Sequence, residues 1–162
     1  MNHRYFSLAL LLLLVVAASL AGSGFDAGEW YYVTMQRPSI APPGWLYAMA
    51  WALVSALMAF AAWKVWLTQH YSRLGALTWW GLLLVLNIGW QVLFFGWHRP
   101  GWALPLIGLT AGIAVFCIKA FRPLSREAAW LMTPYLAWIV FLCAFNLAVW
   151  VTNGGIANRF VI

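Results

Sequence analysis

Apolar and polar positions alternate in long blocks along this chain. Five apolar runs stand at 5–22, 45–67, 77–96, 102–121 and 128–151. An α-helix rises 1.5 Å per residue, so about 20 apolar residues span a bilayer core. The pattern therefore predicts an all-α membrane protein, a bundle of five transmembrane helices forming one domain over 1–162. Three interruptions are short. His70, Tyr71, Ser72, Arg73 and Gly75 part the second and third runs. His98 to Gly101 part the third and fourth, and Arg122, Pro123, Ser125, Arg126 and Glu127 the fourth and fifth. Short links make consecutive helices antiparallel neighbours.

The link 23–44 is different. It holds Asp26, Glu29, Arg37 and three prolines, with Trp30, Tyr31 and Tyr32 among them. Long connections in compact domains are functional or disordered, and the aromatic cluster argues for a structured lid over the helix ends. The first run has a second reading. His3 and Arg4, an apolar stretch and then small residues also describe a signal peptide, whose cleavage would leave four spans.

Within the runs the polar groups are neutral: Ser55, Asn87, Gln91, Thr110, Thr133 and Asn146. Ser and Thr bond back to their own helix, but Asn and Gln need a partner helix or a ligand. At 100° per residue, Asn87, Trp90, Gln91 and Phe94 fall within about a 100° arc. Tyr135, Trp138, Leu142 and Asn146 share about 80° on the fifth run. Trp51, Ser55 and Met58 share a face of the second. Three aromatic–polar stripes suit the wall of a flat, mostly apolar cavity; equally, Asn87 and Asn146 suit hydrogen bonds that join helices. Ala48, Ala52 and Ala56, and Gly108 with Gly112, form small-residue stripes of the kind that lets helices approach, within a bundle or between copies.

Composition narrows the function. The chain is 65% hydrophobic and 7% charged, so it cannot clothe a water-facing surface and lipid must be its solvent. Its net charge of +6 is scattered between apolar runs, which speaks for membrane-flanking residues rather than a nucleic-acid surface. Arg4, Lys64, Arg73, Lys119, Arg122 and Arg126 fall at one end, and Arg37, Arg99 and Arg159 at the other. The excess puts the N-terminus in the cytoplasm and the lid and C-terminus outside. No carboxylate, Lys or Arg stands at mid-span, so no proton relay or charged ion path is written. His3, His70 and His98 sit on separate links, no metal-ligand spacing occurs, and Cys117 and Cys143 read as inert thiols in apolar surroundings. Of thirteen tryptophans, Trp45, Trp66, Trp79, Trp80, Trp97, Trp102, Trp130 and Trp150 lie near run ends, where aromatic belts form.

The order of motifs resembles the tryptophan-rich sensory protein/translocator protein family, TspO/MBR. Glu29-Trp30-Tyr31, Arg37-Pro38, Pro42-Pro43, Trp45 and Trp51 form the first block. Asn87, Trp90 and Phe94-Phe95-Gly96 form the second, and Pro134-Tyr135, Trp138 and Asn146 the third. The resemblance implies a five-helix bundle with a pocket for porphyrins and other flat hydrophobic ligands, and a homodimer in many members. By position, it implies that Trp51, Asn87, Trp90, Trp138 and Asn146 line the pocket. The polar stripes add Tyr135 and Gln91, and Trp30, Tyr31, Pro42 and Pro43 would form the lid. Trp51 and Trp138 match tryptophans implicated in light-dependent porphyrin breakdown. Three features depart from the family pattern: one extra residue between Trp30 and Pro38, Ile40 where a Trp is common, and a stretch 147–153 lacking the Tyr and Arg of the sterol motif.

The expected function is binding of a protoporphyrin IX-like tetrapyrrole, with no obligatory cofactor and no metal, by a sensor, sink or transporter in a bacterial cell membrane. The rival readings are a light-dependent porphyrin-degrading enzyme and a structural subunit without a small ligand. Expected partners are the tetrapyrrole, the lipid bilayer and a possible second copy of the chain, with no nucleic acid.

Overall fold

The computed structural model describes residues 3–23 and 28–155, all of it helical or connecting segments, with no strand among the described residues. Asp26 and Arg159, which entered the sequence reading of the lid and of orientation, lie outside the described residues. Helix α1 is His3–Ser23, α2 Gly44–Trp66, α3 Arg73–Gln91 and α4 Pro100–Phe121. The last apolar run divides into α5, Arg126–Leu131, and α6, Thr133–Thr152. Four stretches are long and apolar enough to cross a membrane: Gly44–Trp66, Arg73–Gly96, Pro100–Phe121 and Arg126–Thr152. Tyr5–Ala21 is a shorter apolar helix.

Local chemistry explains the boundaries. Pro43 is extended and its carbonyl accepts from Tyr47 N–H, so α2 starts directly after the Pro-Pro pair. Pro100 opens α4 at a position where its missing N–H is harmless. Ser125 caps α5 by accepting from Ala128 N–H at 3.1 Å. The helical stretch of the fifth run thus begins at Arg126, and it carries a turn at Met132, where the backbone stays in the helical region and the bonds to Ala128 O and from Leu136 N–H are kept. Pro134 is the cause, because it has no N–H to give the preceding turn.

Helix α1 packs on α2 and α3, α3 on α4, and α4 on α6, with α2 reaching α3, α5 and α6. Ala59, Ala61 and Ala62 are fully buried on α2 and let its neighbours come close. Trp80 fills the core beside them and donates its indole N–H to the Met58 carbonyl at 3.1 Å. It is a packing residue joining α3 to α2, not the belt anchor its place near a run end suggests. Trp45, Trp97, Trp102 and Trp130 remain well exposed, as anchors would be. Trp150 lies half-buried against Gly101, where an added Cβ would sit 2.8 Å from the indole nitrogen. The outer faces keep Leu53, Val85, Leu109 and Val140 exposed, a surface only lipid solvates favourably. Gly108 and Gly112 also face open space.

Cross-links order the two ends. Lys64 at the end of α2 pairs with Glu127 on α5. Arg73 donates to the carbonyls of Trp66 and Thr68, satisfying the frayed end of α2. At the other end, Asn153 after α6 accepts from Gln36 N–H at 2.9 Å and donates to Gln36 O at 3.0 Å. Residues 28–43 therefore lie at the same end as the α3–α4 link and the end of α6.

Candidate functional site

Two segments depart from α geometry, and both serve one place. Trp30–Thr34 and Val92–Gly96 are single π-turns, closed by i→i+5 bonds from Met35 N–H to Trp30 O and from Trp97 N–H to Val92 O. The first turn sends neighbouring rings in different directions. Trp30 stacks on His98 at 4.4 Å and meets Phe94 edge-on at 5.9 Å, which pins the segment to the α3–α4 link. Tyr31 turns inward, is buried, and packs near Phe95 and Phe145 at 6.0 and 6.3 Å. Burial raises the Tyr31 phenol above its ordinary pKa, partly offset by the charge of Arg37, so it stays a neutral hydrogen-bonding group. The second turn separates Phe94, fully buried, from Phe95, which is half-exposed to the space beneath Tyr31.

That space is a partly open cavity of about 580 Å³, within the range of small-molecule sites. Val15 and Ser19 of α1 form one wall, and Tyr47, Trp51 and Ser55 of α2 the facing one. Gln91 and Phe95 come from α3 and the turn after it, and Phe145 from α6. Tyr31, Tyr32 and Pro42 close the end. Ala48, Ala52 and Ala56 also line it, so the small-residue stripe on α2 makes room for the cavity. Among the described residues, no lining side chain is charged. A recess of about 10 Å³ continues from it and shares Ser19, Trp51, Ser55 and Gln91; Asn87 borders that recess. The site is thus a large apolar chamber with a small patch of neutral polar groups at one side.

The sequence-derived site residues divide between this wall and the bundle's interior bonds. Trp51, Gln91, Tyr31 and Pro42 line the cavity, and Asn87 borders the recess. Trp90, Tyr135, Trp138, Asn146, Trp30 and Pro43 are outside its lining. Trp90 donates to Asn146 Oδ1 at 2.9 Å, and Asn146 donates to Pro100 O at 2.7 Å, joining α3, α6 and α4. Tyr135 donates to Asn87 Oδ1 at 3.1 Å. Trp138 is separated from the chamber by Tyr47, whose ring is 5.6 Å from Trp138 and stacks 6.4 Å from Trp51. The Trp138 indole N–H is buried and has no hydrogen-bond partner among the described residues.

Several wall residues escaped the sequence reading. Tyr47 stands one helical turn before Trp51 and beside the alanine stripe, so a signal for it existed. Phe145 gave none, because periodicity marks its neighbour Asn146 as the residue of interest. Arg37 sits at the closed end, its guanidinium 5.6 Å from the centre of the Tyr32 ring. Among the described residues, no cluster of three His, Cys, Asp or Glu side chains is placed to hold a metal.

The comparisons agree with the motif order. The TspO/MBR family profile matches residues 8–151. The chain is 34% identical to the tryptophan-rich protein TspO of Chlorobaculum tepidum over 154 residues, covering 92% of this chain and 97% of that one. It is 35% identical to the human translocator protein over 139 residues, 83% of this chain and 82% of the relative. Protein CrtK of Rhodobacter capsulatus is 31% identical over 155 residues, with 92% and 96% covered.

Proposed function

The chain belongs to the TspO/MBR family, and on that premise we propose that it is an integral membrane protein that binds a flat, hydrophobic tetrapyrrole in the chamber between α1 and α2. The observation that carries this reading is the uncharged chamber of about 580 Å³ with Trp51, Tyr47, Phe95 and Tyr31 in its walls. Aromatic faces offer a macrocycle large stacking area without demanding specific polar contacts. The few neutral donors near Gln91 and Ser55 orient a ligand rather than supply most of the affinity.

In this reading α1 is a retained fifth span, supported by its apolar character and its packing on α2 and α3. Residues 28–43 act as the lid, with the lid outside and the Lys64–Glu127 end in the cytoplasm. The name of the human relative, translocator protein, favours transfer of the ligand over permanent storage. Light-dependent degradation has less support, since it asks for two tryptophans on one cavity and only Trp51 is in the lining. A purely structural role draws support from the interhelical bonds of Asn87 and Asn146 but leaves the chamber without a purpose.

Titration of the full-length protein in detergent with protoporphyrin IX tests the reading through tryptophan emission. Saturable quenching is expected, and it should be lost when Ala52→Leu and Ala56→Leu fill the chamber. Quenching that only follows partition into micelles, unchanged in the filled variant, would refute it.

A further inference from the structure

Among the described residues the chamber wall has no charged side chain, yet a cation stands beside one of its residues. Arg37 is exposed, makes no ion pair among the described residues, and holds its guanidinium 5.6 Å from the Tyr32 ring centre. Tyr32 is itself part of the chamber wall, and its hydroxyl lies close to α2, 3.3 Å from where a Cβ on Gly44 would be. The ring thus holds the guanidinium beside the end of the chamber that Tyr31, Tyr32 and Pro42 close. The other two cations resting on rings, Arg73 on Trp66 and Lys119 on Phe116, involve no wall residue.

A tetrapyrrole such as protoporphyrin IX is an apolar disc with two carboxylates on one edge. Its disc suits the chamber, but a carboxylate pushed among neutral groups would lose its hydration without an opposite charge. The acidic edge must then face outward. A guanidinium matches a carboxylate with two parallel N–H···O bonds, which a lysine cannot reproduce. We propose that Arg37 is the specificity-determining residue of the chamber: it pairs with the acidic edge of the bound ligand and so selects apolar discs that carry a carboxylate. This rests on the tetrapyrrole reading and adds to it a ligand class, an orientation and a residue.

The test compares protoporphyrin IX with its dimethyl ester, which keeps the disc and removes both charges. Both are titrated at low salt into full-length wild type, Arg37→Gln and Arg37→Lys in the same detergent. The wild type should bind the diacid about tenfold more tightly than the ester, a margin of the size one charge-assisted pair supplies. Arg37→Gln should remove the margin by weakening the diacid alone, and Arg37→Lys should keep part of it. Unchanged ester affinity reports that the chamber is intact. Equal wild-type affinities, a margin that survives in Arg37→Gln, or equal weakening of both ligands would each overturn the role of Arg37 while leaving the tetrapyrrole reading standing. Failure of both porphyrins to bind would overturn that reading and the inference together.

Discussion

Trp90 donates its indole N–H to the Asn146 side-chain oxygen, 2.9 Å away across two helices, in surroundings where both residues are buried. Asn146 in turn donates to Pro100 O, so one amide ties α3, α6 and the start of α4. Removing it orphans the buried Trp90 N–H, at a cost of about 1–3 kcal/mol, and gives up the part-buried bond to Pro100 O as well. Asn146→Ala should therefore lower thermal stability markedly in detergent. The porphyrin affinity of the protein that remains folded should change less than about threefold, because Asn146 is outside the cavity lining. A large affinity loss at unchanged melting temperature would return Asn146 to the ligand site.

Trp51 and Trp138 should behave differently. Trp51 lines the chamber, whereas Trp138 stands behind Tyr47 with an N–H unpartnered among the described residues. Trp51→Leu should weaken porphyrin binding by about tenfold through lost stacking area. Trp138→Phe should leave affinity within about twofold and hold or raise the melting temperature, since the unpaired donor disappears with the indole. Fluorescence titration and thermal unfolding of the two variants, side by side, decide this. Equal loss of affinity in both would mean that Tyr47 swings away on binding and opens a path to Trp138.

The Asn153 side chain holds Gln36 through both of its backbone groups and also donates to Val149 O at 2.8 Å. Asn153→Ala leaves the helices untouched but cuts this tie. Amide exchange over residues 28–43 should quicken by about tenfold, as expected for the loss of two hydrogen bonds of roughly 0.5–1.5 kcal/mol each. Ligand association and dissociation should both accelerate while the equilibrium constant moves little. Stopped-flow quenching separates the rates, and a changed affinity at unchanged rates would contradict the assignment of this segment as a lid.

Alanines on α2 divide into two sets. Ala52 lines the chamber and is exposed, whereas Ala62 is completely buried against other helices. Ala62→Leu should overpack the core, costing about 1–3 kcal/mol or more. Ala52→Leu should leave stability almost unchanged and remove chamber volume. Unfolding curves of the two variants should differ clearly; similar destabilisation in both would mean that the chamber closes in the folded protein.

Four of the spans were legible in the sequence because their signal is redundant: about 20 apolar residues each, ended by charge, Gly or Pro. The turn at Met132 was also written there, in Pro134, but length and hydropathy alone do not register it. At the site, the stripe containing Trp51 pointed to the cavity, as did Gln91. The stripe on the last helix did not, because periodicity says which residues share a face and not what that face meets. Asn146 meets Trp90 and Pro100 O, and its neighbour Phe145 meets the chamber. Trp80 shows the same limit, since nearness to the end of a run does not tell a lipid anchor from a core residue whose N–H has found a carbonyl.

Ala48, Ala52 and Ala56 tie the chamber's volume in part to three methyl groups that line it. Ala59, Ala61 and Ala62, one turn further along, hold the bundle together. The two jobs are written in the same residue type on the same helix but at separable positions. A lineage can therefore enlarge, narrow or reshape its cargo space one substitution at a time without passing through an unstable intermediate. Ligand preference in such a scaffold is free to drift while the architecture is inherited intact.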